Sequence, residues 1–179
     1  MQENLSKIKR VSTVLMVLCW LVIIVSPVFI GVFWIMPEKM SVIAEVEGMG
    51  LVDMATLDIW QKISCFLVTM VSQGILLYGI WRLQKLFAAY QRGEMFEVET
   101  TAHLRAFSIS LLIYMLAKPL VGGVITVLLT MNNPVGQRVL EIDVSSDDLF
   151  QVLLGAVMLV VAWTLNEGAK AVRENREIV

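Results

Sequence analysis

Apolar residues run along this chain in four long blocks, near Ser12 to Ile35, Ile63 to Trp81, Ala106 to Met131 and Leu149 to Leu165, with polar stretches between them. Crossing a hydrocarbon core of about 30 Å takes about 20 residues of helix, so each block predicts a membrane-spanning helix. Strands are disfavoured: a lone strand leaves its backbone unpaired in lipid, and no block alternates as barrel strands do. The fourth block is the shortest, but the sequence that follows, LNEGAKAVRENREIV, is rich in helix formers and carries the same helix out into water. The expected fold class is all-α, a four-helix transmembrane bundle forming one integral membrane domain over residues 1–179. An inner loop (82–105) and two outer loops (36–62 and 132–148) join the spans.

Composition agrees with the pattern. Of 179 residues 58% are hydrophobic, and the mean hydropathy of +0.76 lies above the soluble range. The first block follows Lys7, Lys9 and Arg10, yet it is roughly twice as long as a signal-peptide core and lacks a small-residue cleavage site, so it reads as a permanent span. Basic residues then set the orientation. Arg82, Lys85, Arg92 and Arg105 occupy the inner loop and Lys170, Arg173 and Arg176 the C-terminus, against Lys39, Lys62 and Arg138 on the other side. By the positive-inside rule both termini face the cytoplasm.

The outer loops are acidic, with Glu38, Glu45, Glu47, Asp53 and Asp58 in one and Glu141, Asp143, Asp147 and Asp148 in the other. Neither has the Gly-containing Asp ladder of a calcium loop, and solvated loops carry acids by default. Within RVLEIDVSS, Leu140, Ile142 and Val144 alternate with acids, which predicts a short strand able to pair with SVIAEVEG as a small outer β-hairpin. Trp34 and Trp60 at the outer boundary, with Trp81 and Trp163 at the inner one, fit an aromatic belt.

In the inner loop, WRLQKLFAAYQRGEMF keeps helical spacing past the second span through Leu83, Leu86, Phe87 and Tyr90, and Phe96 follows. Gly93 is a natural helix stop, and Thr100 or Thr101 can cap the helix that becomes the third span. Spans two and four are thus expected to extend into the cytoplasm. The apolar face of Leu83, Leu86, Phe87, Tyr90, Gly93 and Phe96 either lies against the membrane surface or the C-terminal helix, or docks another protein.

Candidate chemistry is sparse. The chain has no H-E-x-x-H, G-x-S-x-G or P-loop and no intramembrane Ser-His or Asp pair, so no enzymatic activity is expected. Cys19 and Cys65 read as small buried hydrophobes, and with one histidine, His103, they build no metal site; no cofactor is implied. No basic tract interleaved with aromatics is present, which argues against direct nucleic-acid binding.

One feature resists the plain reading. Lys118 and Pro119 stand in the middle of the third span, in SLLIYMLAKPLVGGVITVLLT. A central charge costs about 3 kcal/mol or more on insertion scales. No Asp or Glu falls inside the four spans as bounded above, so the expected partners are Ser72 and Gln73 of the second span, Tyr114 one turn earlier, and the Met115 carbonyl that Pro119 leaves without its helical bond. Gly122 and Gly123 follow, making AKPLVGG a candidate broken helix of the kind that binds ligands in transporters. On that reading four spans are too few for a path, and a homo-oligomer is required. The other reading makes Lys118 a bundle-facing residue that fixes helix register.

The segments LQKLFAAYQRGEMFEVETTAHLRAFS and DLFQVLLGAVMLVVAWTLNEGAKAVRENREIV, flanking the Lys-Pro span, resemble the bacterial four-span family known as domain of unknown function 2975. The F-x-x-Y-x-x-G-x-x-F pattern of Phe87, Tyr90, Gly93 and Phe96 carries the resemblance, together with Asp148, Leu149, Gly155, Ala162, Glu167, Gly168 and Glu174 in the fourth span. The resemblance implies a multi-pass protein of the bacterial inner membrane with no assigned reaction. It also implies company with small helix-turn-helix regulators, hence an interaction or signalling module partnering a cytoplasmic DNA-binding protein. The alternative is a small oligomeric transporter or ligand-binding bundle centred on Lys118.

Overall fold

The structure, a computed structural model, describes residues 2–40, 56–94, 97–134 and 136–177. It is all-α, with helices α1 (Gln2–Ile35), α2 (Pro37–Met40), α3 (Ile59–Arg92), α4 (Val98–Thr130) and α5 (Ser146–Glu177). The four long helices each have the length and apolar composition to cross a membrane, and all four are longer than their apolar blocks. The chain is therefore a multi-pass membrane protein. Most of its large apolar side chains face outward, as Val14, Ile24 and Val28 do along α1, which suits helices solvated by lipid.

α1 packs on α3, α3 on α4 and α4 on α5. Two apolar clusters bind this row. Phe33 and Trp34 of α1 join Cys65 of α3 with Ile125 and Leu129 of α4 at one end. Leu86 of α3, Leu104 of α4 and Ala162 of α5 meet at the other.

What lets these helices approach is a ladder of mostly small residues at seven-residue spacing. The buried positions are Ser12, Cys19 and Phe33 in α1, and Cys65, Ser72, Gly79 and Leu86 in α3. They continue with Thr101, Ser108, Met115, Gly122 and Leu129 in α4, and with Asp148, Gly155, Ala162 and Ala169 in α5. A seven-residue repeat keeps one seam facing a neighbouring helix, and small side chains on it substitute backbone proximity for the hydrophobic driving force that lipid does not provide. Contact is close: a β-carbon on Gly155 would stand 2.9 Å from Leu112 Cδ2.

Local chemistry fixes the ends. α3 stops at Gly93, which takes the left-handed conformation (φ 89°) while its own N–H and that of Glu94 reach back to the Tyr90 and Ala89 carbonyls. α4 begins not at Thr100 or Thr101 but earlier, with Glu97 as its N-cap. Both threonines lie inside its first turn, and the Thr101 hydroxyl donates, in alternative orientations, to Val98 O (2.9 Å) or Asn166 Oδ1 of α5 (3.1 Å).

Several expectations are corrected. α4 runs unbroken through Pro119, so AKPLVGG is not a discontinuous helix. Residues 137–145 form no strand among the described residues, and SVIAEVEG lies outside them, so the outer hairpin is not seen. Trp34 belongs to the core and not to an interfacial belt: it is 3% exposed, stacks edge-on against Phe33, and donates its indole N–H to Thr69 Oγ1. Trp60, Trp81 and Trp163 are exposed.

Candidate functional site: an ion pair at the start of α5

The fourth helix starts in an unexpected place. After α4 ends at Thr130, the chain turns and runs back down the flank of α4 before α5 begins at Ser146. Polar side chains of α4 receive it. Val139 N–H donates to Thr130 Oγ1 at 3.1 Å and Glu141 N–H to Thr126 Oγ1 at 3.1 Å. Leu140 and Ile142 lie over Gly123, where a β-carbon would approach them to 3.2 and 3.0 Å. The hydroxyls and the glycine together let a backbone that forms no strand among the described residues lie against a helix, with protein groups taking its N–H donors.

The return segment delivers Asp148 to Lys118. Lys118 Nζ donates to Asp148 Oδ1 at 2.5 Å, while Oδ2 accepts from Ser145 N–H and Ser145 Oγ, both at 2.9 Å. Asp148 N–H in turn donates to Ser145 Oγ at 3.2 Å, so Ser145 and Asp148 form a reciprocal N-terminal cap on α5. A carboxylate at a helix N-terminus also meets the positive end of the helix dipole. Asp148 is thus held by its own helix cap as well as by Lys118. Its side chain is 8% exposed and that of Lys118 39%.

The absence of an intramembrane carboxylate, expected from the apolar blocks, is therefore overturned. The block of the fourth span opens at Leu149, one residue too late to include Asp148, whereas the helix opens at Ser146. Lys118 sits about 12 residues, or ~18 Å, before the end of α4. The same pair is central on α4 and terminal on α5.

The other residues grouped with Lys118 take different partners. Gln73 donates to Ser26 of α1 through a short hydrogen bond, and Ser72 donates to Thr69 O in its own helix. Pro119 and Tyr114 are half-buried beside Lys118 on α4. On the candidate docking face, Leu86 forms one buried cluster with Leu104 of α4 and Ala162 of α5, and Leu83 and Tyr90 pack against that cluster, as do Phe107, Met158 and Leu165. Phe87 meets Tyr90 edge-on (centroids 6.5 Å apart), Gly93 is the helix cap, and Phe96 lies outside the described residues. Leu83, Leu86 and Tyr90 are therefore turned into the bundle, toward a cluster to which α4 and α5 both contribute.

A second polar cluster went unread in the sequence. Gln61, 4% exposed, donates to the carbonyls of Leu128 (3.0 Å) and Leu129 (3.1 Å), near the end of α4, where helix carbonyls lack partners. Its Oε1 accepts from Asp58 N–H and from Asn132 Nδ2, which also donates to Asp58 Oδ2 at 2.8 Å. This network ties the start of α3 to the end of α4. At the opposite end, where Lys7, Lys9, Arg82, Lys85, Arg92, Arg105 and Arg173 collect, Arg92 pairs with Glu94 at 2.7 Å and holds that carboxyl below its usual range.

Both cysteines are buried and free, and among the described residues no three His, Cys, Asp or Glu side chains are grouped to hold a metal. Comparison with protein-family models, with curated proteins and with solved structures finds no match. What is established is a membrane protein of four long apolar helices, with no family identified.

Proposed function

We propose that this protein is a membrane signalling module in which α5 is the moving element and the basic end of the bundle engages a cytoplasmic DNA-binding regulator. The observation that carries the reading is the placement of α5. One end is pinned by Asp148 to Lys118, and farther along α5 Ala162 closes the cluster that holds Leu86 of α3 and Leu104 of α4, against which Leu83 and Tyr90 pack. The return segment, exposed at Leu140, Ile142 and Val144, enters α5 directly at the ion pair. A ligand or strain acting on that segment changes the pair, and a shift of α5 uncovers an apolar face for a partner. Such a switch needs two arrangements of one packed element, each favoured by different contacts.

Accessibility tests this. In a background with Cys19→Ala and Cys65→Ala, Leu83→Cys is expected to react with a membrane-impermeant maleimide several-fold faster when Lys118→Met or Asp148→Asn is added. A disulfide between Thr101→Cys and Asn166→Cys is expected to suppress that rise, and with it co-purification of a small DNA-binding protein from membranes. Equal labelling in all variants would overturn the reading.

A further inference from the structure

On the face formed by α3 and α4, a groove of ≈ 600 Å³ runs along the helices, lined by Val71, Ile75 and Tyr78 of α3 and Ala106, Ser110 and Ile113 of α4. Its walls continue in helical steps toward the basic end. On α3 the stripe passes from Tyr78 to Arg82 and Lys85, and on α4 from Ala106 to His103. No charged residue lines the groove itself; the cations stand one to two turns beyond it, at the mouth where its walls reach the basic end.

The polar groups there are unevenly satisfied. Arg82 Nε and His103 Nδ1 are buried and have no hydrogen-bond partner among the described residues. No ion pair neutralises Arg82 among those residues, and the charges of Arg82, Lys85 and Arg92 all reach the His103 ring, with Glu99 as the opposing carboxylate. Lys85 Nζ is held 3.6 Å above the Trp81 ring, which aligns a cation with an interfacial indole. Arg82 and Lys85, half-buried and in no ion pair among the described residues, favour an anion.

We propose that this mouth binds the phosphate of an anionic membrane phospholipid, whose acyl chain occupies the groove between α3 and α4. Charge complementarity selects the headgroup: a zwitterionic lipid brings a trimethylammonium into a cationic mouth, whereas phosphatidylglycerol brings a net negative charge. Each basic residue near a membrane surface strengthens binding of an anionic lipid about fivefold. The groove adds what a loose basic patch lacks, a defined seat for the chain. This inference is independent of the movement of α5, because the groove is lined by α3 and α4 residues, with none from α5.

The experiment is native mass spectrometry of the full chain released from detergent containing equal phosphatidylglycerol and phosphatidylcholine. Wild-type protein is expected to retain phosphatidylglycerol about fivefold or more over phosphatidylcholine. Arg82→Gln and Lys85→Gln should each reduce that preference, and Ala106→Leu should reduce retention of both lipids by filling the groove. Lys170→Gln with Arg173→Gln, on the exposed tail, should leave the preference unchanged. Helicity by circular dichroism screens the variants; where Arg82→Gln fails to fold, Lys85→Gln and Lys85→Arg, loss against rescue, decide the matter. Equal retention of the two lipids by the wild type overturns the proposal. So does a preference that survives Arg82→Gln and Lys85→Gln, or one that falls equally with the tail variant, which would mean diffuse attraction only.

Discussion

Asp148 divides its carboxylate between two helices: Oδ1 takes the ammonium of Lys118 on α4, and Oδ2 takes the backbone and hydroxyl of Ser145 at the start of α5. Removing either partner has unequal consequences. Lys118→Met leaves Asp148 still capped by Ser145, whereas Asp148→Asn removes the negative charge facing Lys118 at mid-helix and loosens the cap. With Lys118 partly exposed, the loss falls between that of a surface pair and that of a buried one, about 1–3 kcal/mol. Thermal melting in detergent should rank Asp148→Asn below Lys118→Met. The double variant should be less destabilised than the two single losses added together. Additive losses would mean that the two residues do not interact.

Gly79 and Gly74 separate close packing from helix propensity. A β-carbon on Gly79 would collide with the Ser110 hydroxyl and meet Phe107 Cδ2 at 3.5 Å, while one on Gly74 meets nothing within 4 Å. Gly79→Ala is expected to cost about 1–3 kcal/mol by pushing α3 off α4. Gly74→Ala should be neutral, or gain up to about 1 kcal/mol from helix propensity. Chemical denaturation in mixed micelles reads both, and equal behaviour would remove the small-residue seam as the reason for the approach.

Gln61 holds two carbonyls of α4 and the amide of Asp58 with one side chain. Gln61→Leu keeps the volume and strands all of these groups, at about 1–3 kcal/mol for each one left buried and unpaired. Gln61→Glu should be worse, since it replaces the donor to Leu128 O and Leu129 O with a carboxylate facing two carbonyls. Limited proteolysis near Asn132 and Asn133 is the readout. Cleavage no faster than wild type in Gln61→Leu would show that water replaces the network without loss.

Apolar blocks were enough to place four helices and to fix their approximate cores, because burial in lipid is written directly in hydropathy. The site was harder. The apolar run opens at Leu149, which leaves Asp148 in an outer loop, yet Ser145-Ser146-Asp147-Asp148 spells a capping box that puts Asp148 in the first turn of a helix. The seven-residue ladder Asp148, Gly155, Ala162, Ala169 also marked Asp148 as seam-facing. What no local pattern carries is that residues 137–145 fold down along α4 instead of standing away as a loop. That depends on Thr126, Thr130 and Gly123 meeting their backbone, a tertiary match between segments that each read as ordinary alone. Trp34 shows the converse: indoles at a span boundary prefer the interface, but Thr69 on the facing helix offers this one an acceptor inside.

The return segment therefore rests on two hydroxyls, and Thr126 is the more exposed to test. It is fully buried, donates to Gly123 O at 2.9 Å, and accepts the Glu141 N–H. Thr126→Val conserves shape but removes the hydroxyl, so the Glu141 amide loses its acceptor, and the Gly123 carbonyl a donor, at a cost of about 1–3 kcal/mol. If the segment is held by that bond, amide exchange at Glu141 and its neighbours should accelerate while exchange in α3 stays unchanged. Thr126→Ser should restore protection, because the hydroxyl returns without the methyl group. Because the segment leads directly into the Ser145–Asp148 cap, Thr126→Val should also weaken the Lys118 pair and raise maleimide labelling of Leu83→Cys, though less than Lys118→Met does. Protection that persists in Thr126→Val would show that Gly123 and the apolar contacts of Leu140 and Ile142 alone seat the chain.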